Sequence, residues 1–233
     1  MEIAGCSVPD DRLYDLEHDV WVQPEPGGTA TLGLLGPLVW FAGPFVQVSF
    51  RNLAGPVAPG RSIATVESAR YTGAVRLPIE AEVAERNRAI VERPRLLNDA
   101  PYGDGWVARL RPRAAVGPGT PGLATAASIA AALEARIRAQ RIRCWPQFPD
   151  AELYEIGIEC SAILTLLNEE LARRPAGTAL LLVTDDPTSP IEMVRWSDQT
   201  GHALLAHRAE GTLHQFLVRK EAHPEPRRRR PGA

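Results

Sequence analysis

Cys160 is the residue whose type and setting most suggest covalent chemistry. It opens an apolar run with helical spacing, in which Leu164, Leu167 and Leu171 follow it on one face. At a helix N-terminus, exposed backbone N–H groups and the helix dipole favour an anion. The thiolate is the reactive form of cysteine, so a thiol placed there suits nucleophilic, covalent chemistry. Glu159, immediately before it, opposes ionisation by like charge, and the sequence leaves the balance of the two effects open. Ser161 follows and can serve the helix start. The competing reading of Cys160 is a small buried hydrophobe, the usual fate of a free cysteine.

The remaining candidates weigh less. Cys144, just ahead of Trp145-Pro146, is a second thiol that could close a disulfide with Cys160, and Cys6 reads as incidental. Three cysteines, an odd and low count, do not suggest a disulfide scaffold. His202 and His207, with distant cysteines, have no recognisable metal spacing, so no metal is expected. His202 reads as a turn residue, and Asp185-Asp186-Pro187 as a capped turn after a strand. A Gly-rich phosphate loop and a Gly-x-Ser-x-Gly elbow are both missing from the sequence.

Charge narrows the partners. The formal net charge is -2, which gives no nucleic-acid signature. Basic residues gather at Arg136, Arg138, Arg141 and Arg143 and in the Arg227–Arg230 run. They read as a solvated helix face and a basic, disordered tail, with an acidic partner as the alternative. The N-terminal segment lacks a basic n-region and an apolar h-region, and no stretch of about 18 apolar residues occurs. No membrane partner is expected, and a reducing cytoplasm is the expected location.

The elements that must hold these residues fall into a β-rich part and an α/β part. Residues 13–111 contain short strand patterns at 20–23, 29–34, 46–50, 62–67, 73–77, 79–85 and 106–110, with turns at Pro24–Gly28 and Pro56–Gly60. Short strands at regular spacing predict a sandwich or barrel. Residues 112–150 read as a Pro/Gly linker followed by a helix over about 123–143, with Ile129, Leu133, Ile137 and Ile142 on one face. Residues 151–220 read as strand, helix, strand, helix, strand, strand, the last two joined around Glu210-Gly211. That βαβαββ order predicts a two-layer α/β sandwich with both helices on one face. Residues 221–233 are the basic tail.

Residues 13–111 resemble the glycine cleavage system H protein, a lipoyl/biotinyl-type carrier fold (a barrel-sandwich hybrid). The residues that carry this are His18-Asp-Val-Trp-Val22, Thr29-Ala-Thr-Leu-Gly33, Val66-Glu67-Ser68, and Asn98 through Pro101-Tyr-Gly-Asp-Gly105 to Trp106. In that family a lysine two residues after the Glu-Ser pair carries lipoate through an amide. Here Arg70 stands in its place, and a guanidinium is a poor amine nucleophile. The chain's only lysine is Lys220, far from this motif. The resemblance therefore implies a carrier fold without lipoate that still docks partner enzymes.

Residues 152–220 resemble the TusA/SirA family of small sulfur carriers. The matching residues are Leu153 to Gly157, Cys160, Gly177, Asp185-Asp186-Pro187, Trp196, Gly201-His202 and Phe216 to Lys220. The resemblance implies a persulfide held on Cys160 and passed onward, with no other cofactor. The family's Cys-Pro is Cys160-Ser161 here. The reading that follows is a sulfur-relay protein, a possible carrier-type sulfurtransferase, whose partners are sulfur-donor and sulfur-acceptor proteins. The alternatives are a non-catalytic adaptor of a sulfur- or lipoate-linked complex, and a glycine cleavage H protein.

Overall fold

Trp21 is the largest fully buried side chain in the N-terminal half, and Gly33 faces it across a strand pair. A Cβ on Gly33 would lie 2.3 Å from the indole, so only glycine lets the ring cross that strand. The computed structural model describes residues 1–224, and the chain divides into two compact units, Met1–Cys144 and the segment from Trp145 onward. The Arg227–Arg230 run lies outside the described residues.

The first unit opens with β1 (Glu2–Ile3), β2 (Cys6–Ser7), β3 (Leu13–Asp15), β4 (Val20–Pro24) and β5 (Ala30–Leu34). Helix α1 (Gly36–Ala42) follows, then β6 (Phe45–Phe50), β7 (Pro56–Val57), β8 (Ser62–Ser68), β9 (Thr72–Arg76) and β10 (Ala81–Arg86). The short helices α2 (Ala89–Glu92) and α3 (Leu96–Asp99) lead to β11 (Ala108–Pro112), β12 (Ala124–Thr125) and α4 (Ala126–Ala139). One antiparallel sheet runs β12-β3-β4-β5-β11-β10-β7, and a second runs β6-β8-β9. Leu32, Leu34, Ile63, Leu97 and Leu110 are fully buried in this unit. The result is the β-rich, sandwich-like fold that the strand spacing predicts.

The helix expected over 123–143 is shorter and packs on the first unit rather than lying in a free linker. Thr125 caps its start, accepting from the Ser128 N–H at 3.3 Å. Ile129, Leu133 and Ile137 are buried, and the helix packs against β1 and β3. It ends at Ala139. Arg141 adopts φ +52°, and Ile142 N–H reaches back to the Ile137 carbonyl at 2.9 Å, so Ile142 lies past the helix. Arg136, read as a solvated face, instead pairs with Asp19 and donates to the Leu16 carbonyl at 3.0 Å.

Two cysteine expectations are corrected. Cys144 is bonded to Cys6, 138 residues away, and not to Cys160. Both sulfurs are buried, so Cys6 is a structural residue and not an incidental one. The sequence hid this because pairing depends on β2 and the end of the first unit coming together, which spacing does not report.

The second unit contains β13 (Ala151–Glu155), α5 (Cys160–Ala172), β14 (Ala179–Thr184), α6 (Ser189–Thr200), β15 (Ala203–Glu210) and β16 (Leu213–Arg219). The sheet order is β13-β14-β16-β15, with β13 and β14 parallel and the other pairs antiparallel. Ile163, Leu167 and Leu171 of α5 and Met193 and Trp196 of α6 pack with Leu180, Leu182, Phe216 and Val218. Both helices therefore share one face of the sheet.

Candidate functional site

Two places carry the residues the sequence singles out, one in each unit. In the first unit, β8 and β9 form a tight hairpin whose turn is Ala69-Arg70. Ser68 N–H donates to the Tyr71 carbonyl at 2.8 Å. The hairpin tip lies against the C-terminal end of α1, a helix within an apolar run that the sequence reading did not assign. Arg70 Nη2 donates to the Trp40 carbonyl at 3.0 Å, and its Nε to the Ala42 carbonyl at 3.3 Å. Ser68 Oγ donates to that same Ala42 carbonyl at 2.6 Å. A cation here meets the negative end of the helix, where the last carbonyls lack helical partners.

Gly43 closes α1 with φ +78°, a backbone state that side chains avoid. A Cβ there would sit 3.1 Å from Arg70 Nε, so glycine also leaves room for the guanidinium. Asn98, 4 % exposed, completes the platform. Its Oδ1 accepts from Phe45 N–H at 2.9 Å, and its Nδ2 donates to the Gly43 carbonyl at 2.9 Å. Tyr71 packs edge-on to Phe41 and Phe45. Phe41 and, on β6, Val46 are exposed. Asn98 and Tyr71 were absent from the sequence-based site. The Asn98-Asp99 motif could have pointed to the first, whereas nothing local points to the second.

A lipoyl amide needs an amine. Arg70 offers none, and its guanidinium is engaged with α1. Lys220 is in the other unit and caps α5: its Nζ donates to the carbonyls of Leu171 at 2.7 Å, Arg174 at 2.7 Å and Ala172 at 3.3 Å. The residues present do not fit lipoate.

In the second unit, Cys160 is the first residue of α5, with Glu159 as N-cap residue. It is the free cysteine of the chain and is only 5 % exposed. The Asp-Asp-Pro turn reaches across to it. Asp185 accepts from Gly157 N–H at 2.7 Å, and Asp186 Oδ2 accepts from Cys160 N–H at 2.7 Å. Asp186 Oδ1 accepts from Thr188 N–H at 2.7 Å and Thr188 Oγ1 at 2.6 Å. These bonds, those of Thr188 foremost, hold the Asp186 carboxyl below its ordinary range, so it is ionised.

The balance that the sequence leaves open falls on the side of a raised thiol. Burial comes first and pushes the Cys160 thiol up, and the charges of Asp186 and Glu192 add to it. Asp186 accepts the Cys160 backbone N–H and so brings a carboxylate to the helix start beside the thiol. Glu159, the expected opponent, is not among these causes.

The histidines stand apart from the thiol chemistry. His202 packs on Trp196, and its Nδ1 accepts from Glu221 N–H at 3.3 Å, a role in the turn before β15. His207 faces His214 across the β15–β16 hairpin. Among the described residues no group of three or more His, Cys, Asp or Glu side chains could hold a metal. No helix among them is long and apolar enough to cross a membrane.

Comparison with known proteins places the first unit. The family described as glycine cleavage H-protein matches residues 12–135. Glycine cleavage system H protein 2 of Aquifex aeolicus (strain VF5) is 37% identical over 111 residues, covering 48% of this chain and 69% of that protein. A probable glycine cleavage system H protein 3 of Saccharolobus solfataricus is 38% identical over 112 residues, covering 48% of this chain and 79% of that protein. A solved structure of a glycine cleavage system H protein from Mycobacterium marinum has a TM-score of 0.47 and 30% identity, covering 54% of this chain and 98% of that one. Because the family model covers residues 12–135, more than half of the 233 residues, the chain belongs to the glycine cleavage H-protein family.

Proposed function

We propose that this chain is a carrier-type docking protein that works without lipoate and holds sulfane sulfur on Cys160. The observation that carries the reading is a division of labour. The H-protein domain has Arg70 tied to α1 where an amine would be needed, while the second unit presents the chain's one free thiol at the first residue of α5. The order β13-α5-β14-α6-β15-β16 supports the TusA-type resemblance of that unit. The H-protein domain docks the sulfur-donor and sulfur-acceptor enzymes, and the exposed Phe41 and Val46 offer apolar surface for that contact. Joining a dock and a carrier raises the effective concentration of the second contact.

The transfer step is redox-neutral. The Cys160 thiol loses its proton and attacks the outer sulfur of a donor persulfide. The donor's sulfur–sulfur bond breaks, a new one forms at Cys160 Sγ, and the proton ends on the departing donor thiol. The same exchange in reverse loads an acceptor thiol. Because Cys160 is buried and next to Asp186, attack requires a local opening of the chain around residues 156–160 that a small persulfide donor can use.

A second reading has its own observation. The burial of Cys160 and the Asp186 carboxylate beside it favour a non-catalytic adaptor with an inert thiol. A working glycine cleavage carrier would need an amine where Arg70 stands. The two main readings separate on incubation with an isotopically labelled low-molecular-weight persulfide. The carrier reading expects label on the Cys160 peptide and none in Cys160→Ser. Wild type that takes no label, with a thiol also refractory to alkylation, supports the adaptor.

A further inference from the structure

The β15–β16 hairpin carries a histidine pair that the sulfur reading does not use. Ala209 faces His214 and His207 faces Phe216 in the strand register, so the two histidines are diagonal neighbours on one face of the sheet. His207 Nε2 and His214 Nδ1 stand 3.2 Å apart. The His207 ring stacks on Phe216, 4.4 Å between centroids and 8° between planes, and Phe216 is fully buried in the core. One imidazole is thus fixed against a rigid element. His207 is exposed and His214 half-buried, so solvent reaches the pair.

That spacing is the bite of a chelate. Two imidazole nitrogens bound to one metal at about 2.0–2.1 Å stand about 2.9 Å apart at a right angle and about 3.4 Å apart at the tetrahedral angle. The observed separation falls between these limits. The exposure of His207 leaves water free to fill the remaining coordination positions of a metal held by the pair.

We infer that His207 and His214 form a surface site for a late divalent transition metal, bound by two imidazoles and water. Imidazole ligands suit copper, nickel and zinc, whereas magnesium and calcium prefer all-oxygen sites. Two ligands held on adjacent antiparallel strands are already positioned, so little ordering opposes binding. The inference is independent of whether Cys160 carries sulfur.

The test is calorimetric titration of the full chain with Ni²⁺, Cu²⁺, Zn²⁺ and Mg²⁺, after the metal-free variants are shown to unfold as wild type does. The site predicts one equivalent of transition metal per chain, copper tighter than nickel, and no saturable magnesium binding. His207→Ala and His214→Ala should each weaken binding by about tenfold or more, because a chelate becomes a single ligand. His202→Ala and His223→Ala should bind as wild type. A second readout is a metal-dependent rise in the unfolding midpoint that both hairpin variants lose. No saturable transition-metal binding, or binding unchanged in both hairpin variants, overturns the site and leaves the two rings sharing an N–H···N hydrogen bond.

Discussion

Replacing Arg70 with alanine removes the cation that ties the hairpin tip to α1. The structure bounds the effect. Of the two carbonyls Arg70 reaches, that of Ala42 keeps its 2.6 Å bond from Ser68 Oγ, so the principal loss is the 3.0 Å bond to Trp40. A cation at a helix C-terminus contributes about 0.3–1 kcal/mol when exposed. Arg70 is exposed, so solvent and salt screen it toward the lower part of that range. For a unit of this size the expected fall in the unfolding midpoint is about 1–4 °C. Thermal unfolding at low and at high salt measures it, and amide exchange of residues 68–72 locates it. The variant should lose stability at low salt, lose less at high salt, and exchange faster at the hairpin tip. An unchanged or raised midpoint, with unchanged exchange at the tip, would refute the idea that Arg70 works as a tie.

Four further outcomes follow from the same geometry. Arg70→Lys restores an amine to the hairpin tip, so expression in a lipoylation-competent host should give this variant a lipoyl mass adduct that wild type lacks; an unmodified variant would show that more than the lysine has been lost. Thiol counting on the denatured, unreduced chain should find one free cysteine, and after reduction three, with Cys6→Ser/Cys144→Ser losing up to about 5 kcal/mol by loop-closure entropy across 138 residues. Because the Cys160 thiol is pushed above its ordinary value of 9.0, its alkylation rate should still be rising with pH at and beyond 9.0, and Glu192→Gln should lower the inflection and speed alkylation about two- to fivefold near neutrality. The sign for stability is the same one: the raised thiol contributes fully below its unfolded-state value and is lost as pH climbs through the folded one, so wild type should lose more stability than Cys160→Ser in that alkaline window.

Much of the fold was legible because most elements carry their own signal. The alternating pattern of Val46–Phe50, the continuous apolar strand Ala179–Thr184 and the helical spacing of Leu164, Leu167 and Leu171 each announce one element, and the structure contains each, with Ile163 rather than Leu164 fully buried on the α5 face. The α1 segment was not legible. Its run between Gly36 and Gly43 is apolar throughout, and a short apolar run does not distinguish helix from strand by period. Very short strands such as β7 and β12 are set by tertiary pairing and leave no period to read.

The sites divide in the same way. Arg70 could be located from Glu67-Ser68 alone, but its bonds to Trp40 and Ala42 cross 30 and 28 residues of sequence. Cys160 could be placed at a helix start from spacing, yet its protonation could not. Burial acts first on the thiol, and the nearest opposing charge, Asp186, sits 26 residues later in a turn that reads locally as a cap. The Cys6–Cys144 bond spans nearly the whole first unit, and no local pattern encodes it.

The most direct test of a lipoate-free sulfur carrier is the intact mass of the full chain, expressed in a lipoylation-competent host and then incubated with a sulfane-sulfur donor. The account predicts no lipoyl adduct before incubation, and afterwards a gain of one sulfur that maps to Cys160 and vanishes in Cys160→Ser. A lipoyl adduct on wild type, or a chain that gains no sulfur on Cys160 even with its partner enzymes present, would contradict it.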